Sequence, residues 1–330
     1  MSHIPSLNNV GKSTRVIWRV RLFVTTIVVV AFVGGALIGG KFNSQTNGPK
    51  IRAAIFDSDL LTGRFTKTEI STTHKTNEDA VDCPTEYIGV VGFGQSNIAN
   101  RIKRISLYKN IDDAFMWDWT DGKCYVYSEP LIGTDGEERG NLLTDAVLYL
   151  KENNIQKPII VAPMARGGSS VFFWYKGRQK YRLGKFLENA LKANLKFDFW
   201  LWMQGETDAI QELYVPHKNI AFNSQNEYFL RGEVNDFYAK ALNGVFDKVK
   251  SDFSNAKFGV SLTSKCKNEG NVYIRKGQEE VINAREDTFF SFDTDSLGDG
   301  FRSDGCHFNE KGANIIGTAY GKFVLEHLIP

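Results

Sequence analysis

Residues 87–97 read YIGVVGFGQSN, an apolar, β-rich run that passes into small residues and ends on a serine with polar neighbours. A short, continuously apolar run bounded by Gly94, Gln95, Ser96 and Asn97 predicts a buried strand followed by a turn. The carboxyl end of a parallel strand is where open α/β sheets place their ligands. A helix starting just beyond it offers unpaired N–H groups to a developing negative charge. Ser96 is therefore a candidate nucleophile at the rim of a sheet. The competing reading of the same letters is a strand followed by a serine helix cap.

Downstream, apolar runs and helical periods alternate. Residues 115–127 read as irregular loop plus a short strand. Residues 141–153 place Leu142, Leu143, Ala146, Val147 and Leu150 at helical spacing. A strand follows at 158–164, a helix at 183–195, a strand at 197–203, a long helix at 226–253, a strand at 257–262, and helices at 272–285 and 310–328. Strands alternating with helices predict an α/β domain with a doubly wound parallel sheet.

Three short blocks recur near the ends of these runs: GGSS at 167–170, QGE at 204–206 and DGCH at 304–307. With GQSN they resemble, in order and content, the four signature blocks of the SGNH (GDSL-like) hydrolases. The likeness is to the sialate O-acetylesterase and acetylxylan-esterase branch, where the third block reads QGE instead of GxND. It covers about residues 85–330. It implies a flavodoxin-like sheet with helices on both faces and a carbohydrate ester as substrate.

The chemistry of the blocks can be argued from their residues. A serine hydroxyl attacks well at neutral pH only when a base takes its proton. Of the five histidines, His307 is the one beside a plausible partner. Asp304, three residues earlier, can hold the other imidazole nitrogen and stabilise the imidazolium that forms. Asp-x-x-His is also the signature of a surface loop capped by aspartate; the family likeness assigns Ser96, Asp304 and His307 as the catalytic set. The oxyanion donors it implies are the N–H groups of Ser96 and Gly168 and the side-chain amide of Gln204. Aligned as GxND, the same block would put Thr207 in the donor position.

Asn97, Arg166, Trp174 and Glu206 are candidate substrate contacts. Trp174 stands where the family often shows an aromatic residue that stacks on a sugar, although core packing suits it nearly as well. Trp200 and Trp202, alternating on a strand, suit packing. Arg166 is a candidate for an anionic substituent such as a carboxylate. Glu206 and Asp208 form a carboxylate pair, which could do acid/base work; with a serine and a histidine present, Glu206 reads rather as a residue that holds loops together through backbone N–H groups.

The 330-residue chain is 42% hydrophobic with a formal net charge of +2, enough for a sizeable core. It carries no basic patch for nucleic acid. Residues 22–40 are uncharged and dominated by Val, Ile, Phe, Ala and Gly. These nineteen residues extend about 28 Å as a helix, enough to cross a bilayer core. Lys12, Arg15, Arg19 and Arg21 precede them and only Lys41 directly follows, so the positive-inside rule predicts a single-pass anchor with an outward-facing domain. A cleaved signal peptide is the rival, disfavoured by the length of the apolar core and the lack of an A-x-A-like site. The expected organisation is a cytoplasmic tail (1–21), an anchor (22–40), a stalk (41–84) and an esterase domain (85–330).

All four cysteines follow the span, permitting two disulfides on the oxidising side. Three pairings are possible, and Cys266 with Cys306 is preferred because each sits by a strand end or the DGCH block, leaving Cys83 with Cys124. No cysteine or histidine shows metal-site spacing, so no metal or organic cofactor is expected. The expected function is hydrolysis of acyl, most plainly acetyl, esters on an acylated glycan. The alternatives are acyl transfer at the same site and an inactive carbohydrate-binding module.

Overall fold

The computed structural model describes residues 80–136, 139–214, 234–267 and 270–328, all within one compact unit, Thr66–Pro330. The expected span at 22–40, its basic flank and most of the stalk lie outside the described residues. Among those described, no helix is long and apolar enough to cross a membrane.

In chain order the elements are β1 (Ala80–Val81), β2 (Ile88–Gly94), β3 (Ala114–Asp118), β4 (Lys123–Val126), α1 (Leu142–Glu152), β5 (Ile159–Pro163), α2 (Val171–Tyr175) and α3 (Arg178–Lys192). They continue with β6 (Phe199–Met203), α4 (Glu206–Tyr214), α5 (Val234–Asp252), β7 (Lys257–Leu262), α6 (Val272–Ala284), β8 (Thr288–Asp293) and α7 (Glu310–Leu328). The strands form one sheet in the order β1-β4-β3-β5-β2-β6-β7-β8.

From β3 across to β8 every pairing is parallel. The sheet is nonetheless mixed, because β4 runs antiparallel to β3 and β1 antiparallel to β4. That corrects the expectation of a wholly parallel sheet, and the source is the aromatic stretch expected to be mostly loop. Trp117 and Tyr125 give it two strands. Between them Gly122, at φ +79°, donates its N–H to the Asp118 carbonyl and reverses the chain. Within the parallel part, β5-β2-β6-β7-β8 follows the flavodoxin-like order. The chain leaves β2 for β5 on one side and then crosses back to β6 on the other, so the topological switch point lies at the carboxyl end of β2.

All seven residues of β2 are buried, because helices cover both faces of the sheet. Val91 and Phe93 face a core shared with α2, α3, α5 and α6, whereas Ile88 and Val90 face one shared with α1 and α7. Phe93 lies edge-on to Trp174, Trp200 and Trp202 at 4.9–6.0 Å between centroids, arrangements that favour aromatic pairs. Gly94 ends the strand at φ +130°, and a Cβ there would lie 2.1 Å from the Met203 carbonyl oxygen. Only glycine lets β2 turn there so close to β6.

Three further expectations change. No α-helix follows β2 directly; residues Ser96–Ile98 form a single 3₁₀ turn. β8, which had no counterpart in the sequence reading, closes the sheet beyond β7. The domain also begins before residue 85, since Ala80 and Val81 pair with β4 and Cys83 is bonded to Cys124. The other disulfide is Cys266–Cys306, as preferred. With their partners 41 and 40 positions apart in sequence, each removes chain entropy worth about 4 kcal/mol in the loop-closure description.

Candidate active site

The switch point gathers the four sequence blocks. Ser96 opens the 3₁₀ turn after β2, GGSS follows β5, QGE joins β6 to α4, and DGCH lies in the loop before α7. Ser96 is 7% exposed and its Oγ lies 3.0 Å from His307 Nε2. His307 Nδ1 lies 2.8 Å from Asp304 Oδ2. The other oxygen, Oδ1, accepts the N–H groups of Cys306 and His307 at 2.9 and 2.8 Å. One carboxylate therefore both caps its own loop and holds the imidazole ring.

Partial burial works to raise the Asp304 pKa, but the hydrogen bonds from the His307 ring and the two backbone N–H groups outweigh it. They hold this carboxyl at about 2. An ionised carboxylate only accepts, so Nδ1 carries the proton of a neutral His307 and Nε2 turns its lone pair toward Ser96. The loop is pinned further by the Cys266–Cys306 disulfide and by Lys267 N–H donating to the Gly305 carbonyl at 2.9 Å.

The GGSS turn passes beside the serine, where a Cβ on Gly167 would lie 3.6 Å from Ser96 Cβ. Gly167 donates its N–H to both oxygens of Asp135, at 3.0 and 2.9 Å. Gly168, at φ +68° with open space above its α-carbon, does not. Among the described residues no group accepts from the N–H of Ser96 or of Gly168. Asp135 was not singled out in the sequence; no motif surrounds it, and its role appears only where the β5 loop folds over it.

Gln204 does not fit the part expected of it. It is fully buried, and its amide donates to Gln95 Oε1 at 3.2 Å, to the Ser169 carbonyl at 3.1 Å and to Asp208 Oδ2. Its oxygen accepts from the Tyr238 hydroxyl at 3.0 Å. With both amide hydrogens engaged, the side chain ties the first block to the second and offers nothing to a substrate. Thr207, the other candidate donor, gives its N–H to Gln95 Oε1 at 3.1 Å.

Three candidate substrate contacts are corrected likewise. Asn97 is fully buried; its amide donates to Glu206 Oε1 at 2.6 Å and to the Cys306 carbonyl at 3.3 Å, and its oxygen accepts the Phe308 N–H at 3.2 Å. Glu206 is fully buried too, so no sugar reaches it. Trp174 is 1% exposed, with its indole N–H on Ser169 Oγ at 2.9 Å and its ring in the aromatic core. Arg166 remains at the rim, its side chain 26% exposed and 3.8 Å from Asp135. Arg101, which the sequence reading passed over, stands beside it, 4.0 Å from the same Asp135 oxygen. Among the described residues no cluster of ligands could hold a metal ion.

Asp208 accepts the Val171 N–H at 3.0 Å, and enclosure of its carboxyl pushes its pKa up to about 7 against that bond and the one from Gln204. An unfolded aspartate ionises at 3.8. Between these values the folded protein keeps a proton that the unfolded chain has lost, so this group's stabilisation falls as pH rises through the window. Asp208→Asn keeps an oxygen acceptor and cannot ionise. Calorimetric melting temperatures at about pH 5 and about pH 8 should therefore lie closer together in the variant than in the parent; an equal spread would mean that Asp208 titrates in the ordinary range.

The arrangement can be set beside known proteins. The family model described as carbohydrate esterase, sialic acid-specific acetylesterase, matches residues 91–326 of the chain. The protein belongs to this family. As a member it is a carbohydrate O-acetylesterase-like ester hydrolase, and the match spans all four blocks.

Among solved structures, this carbohydrate esterase is similar to a protein from Arabidopsis thaliana, at 17% identity and a TM-score of 0.53 over 73% of this chain and 99% of that one. That likeness supports the fold. An acetylxylan esterase from Geobacillus stearothermophilus aligns at 15% identity and a TM-score of 0.43, over 72% of this chain and 94% of that one. A carbohydrate esterase family 3 protein from Talaromyces cellulolyticus aligns at 9% and 0.44, over 72% and 97%. No curated protein matches the sequence significantly.

Proposed function

We propose that this carbohydrate esterase removes acetyl groups from sugar hydroxyls through a serine nucleophile, with Ser96, His307 and Asp304 as the catalytic set. The observation that carries this reading is the unbroken chain from Ser96 Oγ through the imidazole to Asp304, at 3.0 and 2.8 Å. Ser96 Oγ bonds to the ester carbonyl carbon while its proton passes to His307 Nε2. The resulting oxyanion meets the N–H groups of Ser96 and Gly168. Collapse breaks the bond to the sugar oxygen, which leaves with the proton from Nε2. Water then enters by the same route, releasing acetate and restoring the serine.

The sugar lies over the open side of Gly168, and an anionic substituent on it would meet Arg166 and Arg101. The same reading keeps the anchor at residues 22–40 and the domain on the outer side, supported by the basic flank and by two disulfides, which persist in oxidising compartments. Retention in the membrane fraction after a carbonate wash tests the anchor.

Acetate release from O-acetylated sialic acids, xylans and bacterial surface polysaccharides tests the function, with a small aryl acetate as the common reference. Added sugar acceptors would reveal acyl transfer instead. Arg166→Ala should raise KM about tenfold on an anionic acetylated sugar, the size of one lost charge-assisted bond, and leave KM on the aryl acetate alone. Equal effects on both substrates would remove Arg166 from recognition. Absence of acetate release from every ester would remove the proposal itself.

A further inference from the structure

Glu206 is a carboxyl group whose position nothing in the chemistry above explains. It is fully buried at the first turn of α4; one oxygen accepts from Asn97 at 2.6 Å, and the other has no partner among the described residues. Burial pushes its pKa up against the Asn97 hydrogen bond. A half-satisfied carboxyl in a protein interior is costly, so its retention calls for a physical account.

The account lies in what Asn97 does with its remaining atoms. Its amide donates to the carbonyl of Cys306 and its oxygen accepts the N–H of Phe308. Those are the two residues on either side of His307, and Asn97 itself directly follows Ser96. One carboxamide thus spans nucleophile and base across 211 residues of chain. It does so in only one orientation. Rotated by half a turn, its oxygen would face the Cys306 carbonyl and its NH₂ the Phe308 N–H, two repulsive pairs. Glu206 Oε1, which must receive a donor, adds a third contact selecting the same orientation. Arg302 Nη1 also donates to the Cys306 carbonyl, at 2.6 Å, and steadies that acceptor.

We infer that Glu206 is a positioning residue for the hydrolysis: by fixing the orientation of the Asn97 amide it sets the spacing between Ser96 Oγ and His307 Nε2. This rests on the serine mechanism proposed above. Misplacing a reacting group by about 1 Å costs on the order of 100-fold in rate, which sets the scale of the effect.

The test uses the full chain and a small aryl acetate, with acylation by a fluorophosphonate probe as a second readout. Glu206→Leu fills the same space without an acceptor. Its kcat and labelling rate should fall about 100-fold, with KM little changed and the melting temperature equal or higher, since a half-satisfied carboxyl has gone. Glu206→Gln restores an acceptor and should recover activity to within about tenfold of the parent. Should Glu206→Leu fail to fold, Asn97→Asp, which keeps the shape and loses the donor, carries the same expectation. Parental kcat in Glu206→Leu or in Asn97→Asp would overturn the inference, as would equal impairment of the Leu and Gln variants. Ser96→Ala in the same assays separates the two layers: if it stays active the serine mechanism falls, whereas if only Ser96→Ala is impaired the positioning role alone falls.

Discussion

Ser96→Ala is expected to lower kcat by about 10⁴–10⁶-fold, with His307→Ala close behind, because nucleophile and base act as one unit and losing either loses the covalent route. The double variant should therefore be little worse than either single one. Residual turnover would come from the N–H groups of Ser96 and Gly168 acting on a bound ester, since a backbone donor survives the change to alanine. Neither variant should destabilise the fold, as among the described residues the Ser96 Oγ bonds only to the imidazole. Burst kinetics and fluorophosphonate labelling supply the check: labelled protein in Ser96→Ala, or two separate losses that multiply in the double variant, would show that GQSN is not the reacting block.

Asp304→Asn carries the second-largest expected effect, about 10⁴-fold in kcat with KM nearly unchanged. Asparagine would still cap the loop through its oxygen, keeping the bonds to the Cys306 and His307 N–H groups. Its NH₂ would then face Nδ1 and force the imidazole proton onto Nε2, the nitrogen that must accept from Ser96. The native carboxylate, held at about 2 against an ordinary 3.8, is ionised throughout any working range. Its contribution to stability is present above about pH 4 and is lost as pH falls through 2. Asp304 thus supplies no acid limb to the rate profile near neutrality. A kcat within tenfold of the parent would dismiss the tautomer argument.

The alternation of apolar runs with helical periods located the strand that carries Ser96 and the order of the blocks. The letters of DGCH put Asp304 within reach of His307, but they suited a capped surface loop equally well, and it was the family likeness that singled out the pair. Asn97 and Gln204 were placed near the site and given tasks that their buried, engaged side chains do not suit, whereas for Glu206 the sequence already favoured a part in holding loops together over a contact with substrate. Proximity follows from sequence, but which way an amide or carboxyl points depends on donors and acceptors hundreds of residues away. Trp174 failed for a similar reason, since its ring faces the core while its neighbour Gly168 faces solvent. The hairpin of β3 and β4 was missed because its aromatic residues fit neither a clean period of two nor one of 3.6.

The separation of 211 residues between Ser96 and His307 also bears on how the enzyme is made. At translation speeds of about 5–20 residues per second, roughly 10–40 s pass between synthesis of the nucleophile and of its base. Throughout that interval the nascent chain carries a serine with ordinary alcohol reactivity. Asn97, which bridges to residues on either side of His307, also lacks two of its three partners until then. If Ser96 and His307 react as proposed, competence arrives as one late event, when the last segment before α7 docks. On the serine mechanism proposed above, a chain truncated anywhere before residue 304 is expected to lack the covalent route, however well its sheet has formed.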